Sequence, residues 1–523
     1  MAQGSTKTPI AGVQDDGTST PFASTGEGHL EVAVHAPRLP FGSVHTEQLT
    51  PVFQVDGVYG LNTATTSTTT SGTGTAAASG NLITTGTGGT AAGALGTVQS
   101  RKRLRYRPGQ GVVGRFAGKF TAGVANSIQV MGFGTGESGI FFGYNGASFG
   151  ILYSTGGVRE IQTLTVTTAS TATKNYVVTL DGVVFNVTAT ANGTTAATAY
   201  EISKGTYTGW TATQRGSTVV FLSNSVGNKT GAFSLAQTGA GTPAAGSFAE
   251  TLAGASVTDT WISQSSWNGD KLDGTGPSGY TIDPTKGNVY QMNVQYLGFG
   301  TISFGVEVTT TNGNNADFVI CHTLKLPNTL TSPSLTNPSF PFTMAAYNTG
   351  TASGAVSCSV GSFAGFIEGS QTLTGPRQTF FNNAGVTSST SAYVPLFTIR
   401  NTIVFNTRAN QAVVHLLSVS GATKSANGLT TFYLIKNATL TGPVSFGTWA
   451  TTSCSVADTG ATGCSFSTND QVIWTGGVGE SGDFIAKFED DITLQPGETM
   501  TLAVRSVTAT ATCVGSINVR EDH

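Results

Sequence analysis

Residues 162–190 read QTLTVTTASTATKNYVVTLDGVVFNVTAT. Apolar and polar residues alternate through most of the stretch, the period-two pattern of strands with one buried face. Asp181-Gly182 divides YVVTL from VVFNV. Asp-Gly is a strong signal for a two-residue hairpin, because both turn residues need positive φ. The same texture continues outward in both directions. STVVFLS (217–223), TFYLIKNA (431–438) and ETMTLAVRSVT (498–508) read as further strands, and YQMNVQYLGFGTISFGVEV (290–308) as two strands around Gly298-Phe299-Gly300. Gly, Asn, Ser and Thr clusters punctuate these runs at intervals of about ten residues, as in sandwiches and jelly rolls. One short helix is expected over 195–204, TAATAYEISK. The fold class expected is all-β: tandem jelly-roll or β-sandwich domains.

Composition narrows the function. Of 523 residues 69 are Gly, close to twice the usual share of about 7%. Charged residues make up 10%, against roughly 25% in an ordinary globular chain. Such scarcity argues against charge-driven disorder and against surface helices or coiled coils. A formal charge of -3 gives no global attraction to nucleic acid or acidic lipid. The N-terminus lacks the basic start and apolar core of a signal peptide. No apolar run approaches the ~18 residues of a membrane span. Cys321, Cys358, Cys454, Cys464 and Cys513 are irregularly spaced without CxxC, so neither a disulfide framework nor a zinc site is expected. A single Cys454–Cys464 bridge stays open.

Texture suggests four blocks. Residues 1–100 are expected to be an extended arm rather than a domain. Within it, 61–96 is low-complexity Thr/Gly/Ala sequence without charge. That stretch reads either as a flexible linker or as a segment that adds strands to neighbouring subunits. Residues 101–160 and 256–375 share aromatic-rich texture and suggest one lectin-like jelly-roll sandwich split by an insertion. The insertion, 161–255, reads as a small α+β unit of βαβ-like character. Residues 376–523 form a last β-sandwich.

No motif for catalysis stands out. GxGxxG occurs at Gly109/Gly111/Gly114, Gly134/Gly136/Gly139, Gly274/Gly276/Gly279 and Gly477/Gly479/Gly482, never between a strand and a helix as a dinucleotide site requires. His322 and His415 lie in apolar strands and read as hydrogen-bonded sheet residues; His29, His35 and His45 share the arm. No HExxH, no GxSxG elbow and no distinguishable carboxylate pair is present. Asp270 and Asp273, in WNGDKLDGTG, read as a capped turn formed with Gly274, Gly276 and Pro277, with partial calcium ligation as the alternative. The sharpest charge feature is Arg101-Lys102-Arg103-Leu104-Arg105-Tyr106-Arg107. In extended conformation it places Arg101, Arg103, Arg105 and Arg107 on one face and Leu104 and Tyr106 on the other. Such a row more often pairs with carboxylates across a subunit contact than with an anionic partner. No cofactor is expected.

Two passages carry a resemblance. One is Trp267-Asn268-Gly269-Asp270-Lys271-Leu272-Asp273-Gly274-Thr275-Gly276-Pro277-Ser278-Gly279 and its continuation through YQMNVQYLGFGTISFGVEV, His322, Pro327-Asn328 and Asn337-Pro338. The other is Arg103-Leu104-Arg105-Tyr106-Arg107-Pro108-Gly109-Gln110-Gly111, followed by FFGYNGASFGIL and REIQTLTV. With the closing LQPGETMTLAVRS and INVRED, they resemble a group of virion structural proteins of tailed phages, especially aquatic ones, and of large DNA viruses of algae. The resemblance spans 101–160 and 256–523 and implies a capsid- or tail-associated fibre, spike or decoration protein without catalysis, located in the virion. The expected partners are other copies of the chain in a homo-oligomer, a trimer in the simplest case, and other virion proteins, with host surface glycans as a further candidate. Neither a membrane nor nucleic acid is expected as a partner. The alternatives are a carbohydrate-binding adhesin, which exposed Trp210, Trp261, Trp267, Trp449 or Trp474 would favour, and a cellular surface-layer or filament protein.

Overall fold

The computed structural model describes residues 48–188, 193–309, 316–370, 375–424, 428–489 and 492–522, together with two short paired strands, Ala11–Val13 and Ser19–Pro21. Antiparallel strands dominate, in three packed units.

Two large sheets face each other in the first unit. The seven-stranded sheet runs, in spatial order, Thr258–Ser263, Ser148–Thr155, Gly139–Asn145, Ser127–Gly134, Phe342–Asn348, Leu95–Ser100 and Thr66–Ser71. The eight-stranded sheet runs Ala316–Leu324, Ile302–Thr309, Asn288–Val294, Val112–Phe120, Ser357–Glu368, Leu82–Gly86 and Thr75–Ser79, with Leu49–Asp56 also paired to Ser357–Glu368. Aromatic rings fill the space between them. Phe342 stacks on Phe363 at 4.1 Å between centroids, and Phe116 on Tyr290 at 5.0 Å. Phe142 and Phe304 complete a fully buried centre. Each such ring contributes about 1.5–3 kcal/mol on burial.

Residues 48–100 are not an arm. They supply five strands of this sandwich and bury Phe53, Ile83 and Val98 in its core. The low-complexity stretch becomes sheet because Thr fits a pleated surface, and because Ile83 is buried in the core with Ala76 and Ala78 packed against it. The small residues let chains approach closely: a Cβ on Gly74 would lie 1.8 Å from the Leu95 carbonyl oxygen, and one on Gly96 2.1 Å from that of Thr75. Residues 1–47, apart from the two short paired strands, lie outside the described residues.

The inserted unit enters and leaves through one gate. Val158 and Ala255 exchange two backbone hydrogen bonds, of 2.9 and 3.0 Å. Inside are a four-stranded sheet (Trp210–Arg215, Thr218–Val226, Arg159–Thr168, Ala245–Leu252) and a three-stranded one (Val183–Val187, Tyr176–Leu180, Ser234–Gln237). The predicted hairpin is present: Leu180 pairs with Val183, and Asp181 and Gly182 have φ of 50° and 78°. The helix spans Thr195–Ser203, with the Thr194 hydroxyl accepting from the Ala197 N–H at 3.1 Å. The expected βαβ character is absent, since every strand pair between named strands of the unit is antiparallel. Its own core includes Leu164, Tyr176, Val178, Ile202 and Phe221.

The third unit pairs a five-stranded sheet, including Arg377–Thr387, Thr512–Asp522 and Val413–Lys424, with a six-stranded sheet, including Val394–Asn401, Thr499–Ser506 and Thr430–Lys436. Phe380, Leu416, Phe432, Leu502 and Ile517 form its centre. The insertion docks on this unit: the Gly216 N–H donates to the Phe446 carbonyl at 2.8 Å, and Phe446 N–H to Gln214 Oε1 at 2.9 Å. Arg400 lies over the Phe446 ring at 3.9 Å and donates to the Gln214 carbonyl. Among the described residues no helix is long and apolar enough to cross a membrane.

Candidate functional site

The arginine row lies where the first and third units meet. The segment 101–107 is extended and held by a single bridge, Leu104 to Phe340. Leu104 turns into the first core, and the Tyr106 hydroxyl accepts from the Leu297 N–H at 3.0 Å. On the opposite side Arg103, Arg105 and Arg107 meet the third unit. Arg103 Nη1 donates to Gln411 Oε1 at 2.9 Å. Arg105 donates to the carbonyls of Asp522 and Gln411. Asp522 Oδ2 faces two guanidiniums, Arg105 at 3.5 Å and Arg107 at 3.3 Å. Gln411 extends the network: its Nε2 donates to Glu137 Oε2 at 3.2 Å, and Glu137 Oε1 pairs with Arg159 at 3.0 Å. The alternation predicted for 103–107 is therefore present, but these cations pair within one chain, across a junction between units. Arg101 departs from the row and donates to the Thr63 carbonyl.

Desolvation dominates the electrostatics here. Burial, reinforced by repulsion from Arg159 and Arg105 and opposed by Glu137, pulls Arg103 down to about 10. Burial also lowers Arg105, with Asp522 opposing the shift. Both guanidiniums remain charged at neutral pH, so the junction holds cations at a real solvation cost. A cavity of about 230 Å³ opens beside them, with Lys102, Arg103, Arg105, Arg107, His415 and Asp522 in its wall. Sequence reading singled out the cations but missed Gln411, Asp522 and Glu137. No local sequence signal pointed to Asp522, which ends the last strand beside Glu521.

The Asp270 turn is tied to the Ala316–Leu324 strand, the Asp270 N–H donating to the Ile320 carbonyl at 3.1 Å, and Leu272 is buried in the first core. Asp270 Oδ1 accepts from the Leu272 N–H at 2.8 Å and Oδ2 from the Ser278 N–H at 2.7 Å. Burial disfavours the charged carboxylate, but these donors outweigh it and hold Asp270 below the usual carboxyl range. Asp273 Oδ1 accepts from the Thr275 hydroxyl at 2.6 Å and its N–H at 2.9 Å. Gly274 has φ of 86°, and a Cβ on Gly276 would sit 2.0 Å from Asp270 Oδ1. Pro277 follows directly, within the loop that the two Asp270 bonds close. The geometry is that of a capped turn. It anchors Asn268, whose side chain exchanges two 2.8 Å hydrogen bonds with the Thr323 backbone.

The remaining chemistry-bearing residues are dispersed. His322 Nδ1 accepts from the Asn268 N–H at 3.3 Å, and burial lowers its pKa. His415 pairs in register with Arg520 on the last strand. Buried Glu521 accepts from the Ser453 hydroxyl and the Cys454 N–H, and buried Glu160 from Gln162 and the Lys229 N–H. The five cysteines are separate thiols, so Cys454 and Cys464 are not bridged. None of the four GxGxxG matches opens a helix. Trp210 and Trp267 are buried, and Trp261, Trp449 and Trp474 are half-buried. No protein-family profile matches the chain, and no curated protein matches it.

Proposed function

We propose that the chain is a non-enzymatic virion structural protein of a tailed phage or algal virus, which self-assembles as a capsid- or tail-associated spike, fibre or decoration. One observation supports the self-assembly most directly. The two large sheets of the first unit end, on the same side, in the edge strands Thr66–Ser71 and Thr75–Ser79. Both belong to a run from Gly57 to Ser100 that contains no charged residue. Natural edge strands are usually blocked by Lys, Pro, inward charges or bulges, because an open edge templates pairing with another chain. Here Thr68, Thr69, Thr70 and Ser71 are exposed, as are Thr75, Ala77 and Ser79. A second copy covering these edges completes both sheets, as in strand addition. Three units locked by buried contacts suit a protein that bears load rather than one that opens around a substrate.

Peptide mass spectrometry of purified virus particles tests the reading. Peptides of this chain are expected to be enriched in the particle fraction. Their recovery only from the cell envelope contradicts it and favours a surface-layer protein.

A further inference from the structure

We propose that the cavity between the first and third units binds a tetrahedral oxyanion of the phosphate or sulfate class. Four cations, Lys102, Arg103, Arg105 and Arg107, line it, and among the described residues Asp522 is the one carboxylate in its wall. That carboxylate is shared, with one oxygen serving both Arg105 and Arg107. Among the described residues the hydrogen-bond partner of Arg103 is the neutral Gln411 amide, with the Glu137 carboxylate attracting it from farther away. Arg105 Nε is buried and bonds to no other described group. A chain with so few charges has therefore gathered four cations at one point, with one carboxylate among the described residues of the cavity wall beside them.

Space and chemistry fit. The cavity of about 230 Å³ has room for roughly seven waters at ~30 Å³ each, enough for one oxyanion with part of its hydration shell. Guanidiniums offer forked donors that match oxyanion geometry. Exposed Lys102 stands at the rim, where it can attract an incoming anion. The residues come from both units, so binding ties the two sandwiches together and stabilises the docked arrangement by mass action. The inference does not depend on the virion reading.

Calorimetric titration of the full chain with inorganic phosphate at constant ionic strength tests it. The expected result is saturable binding of one ion per chain. Arg107→Gln should weaken it about tenfold, as for loss of one charge-assisted contact. Lys102→Gln alters an exposed side chain, leaves the fold intact and should weaken binding roughly threefold. Absence of saturable binding to the wild-type chain overturns the proposal, as does equal binding by wild type and both variants.

Discussion

Asp522 illustrates what single residues do here. Its side chain is 8% exposed and neutralises parts of two guanidiniums that have lost most of their water. Asp522→Ala should cost about 3 kcal/mol, because the partners stay buried and unpaired; urea unfolding is the check. Asp270 acts through its backbone donors. Its folded pKa lies below the unfolded value, so its contribution is present above the usual carboxyl pKa of about 3.9 and is lost as pH falls through the folded value. Asp270→Asn should therefore lower stability at neutral pH and shrink the acid-induced loss seen in the wild-type chain. Gly276→Ala pushes a methyl group into that carboxylate, and about 1–3 kcal/mol of destabilisation is expected by the same assay. The sequence made both features visible as local patterns: alternating Arg with Leu104 and Tyr106, and two Asp among glycines. It did not make the partners of the arginines visible, because Asp522 lies 417 residues from Arg105 and only the folded topology brings them together.

At the scale of elements, local chemistry was readable wherever it decided the conformation. Asp181-Gly182 fixed a hairpin, and the expected helix formed over Thr195–Ser203. The Thr/Gly/Ala stretch was misread because its inward apolar residues are few and widely spaced. Ile83, with Ala76 and Ala78 beside it, suffices only because the rest of the sandwich already provides a core. The edge strands it forms carry a direct prediction. Thr68→Lys combined with Ala77→Lys places one charge on each edge, at exposed positions where stability should change by less than about 0.5 kcal/mol. Self-association should nevertheless be lost, as sedimentation velocity would register. Retained association with both lysines in place would move the contact surface elsewhere.

For the whole molecule, the three units form one interlocked body rather than beads on a string. Ile161 and Leu222 of the insertion pack with Ile403 of the third unit, and Tyr200 joins that unit's Leu440–Phe446 cluster. Removing residues 1–100 deletes five strands of the first unit and opens its core, so the truncated chain should be insoluble instead of folded but unassembled; the soluble fraction after expression tells the two apart. The fold class was legible because period two and turn chemistry recur along the whole chain, whereas docking between units leaves no local trace. Self-assembly through uncharged strand edges is the central claim, and the native mass of the full chain by light scattering over a wide concentration range tests it most directly. A mass of at least twice 53.4 kDa, three times in the simplest case, is the predicted result. A species that stays at 53.4 kDa at every concentration contradicts it.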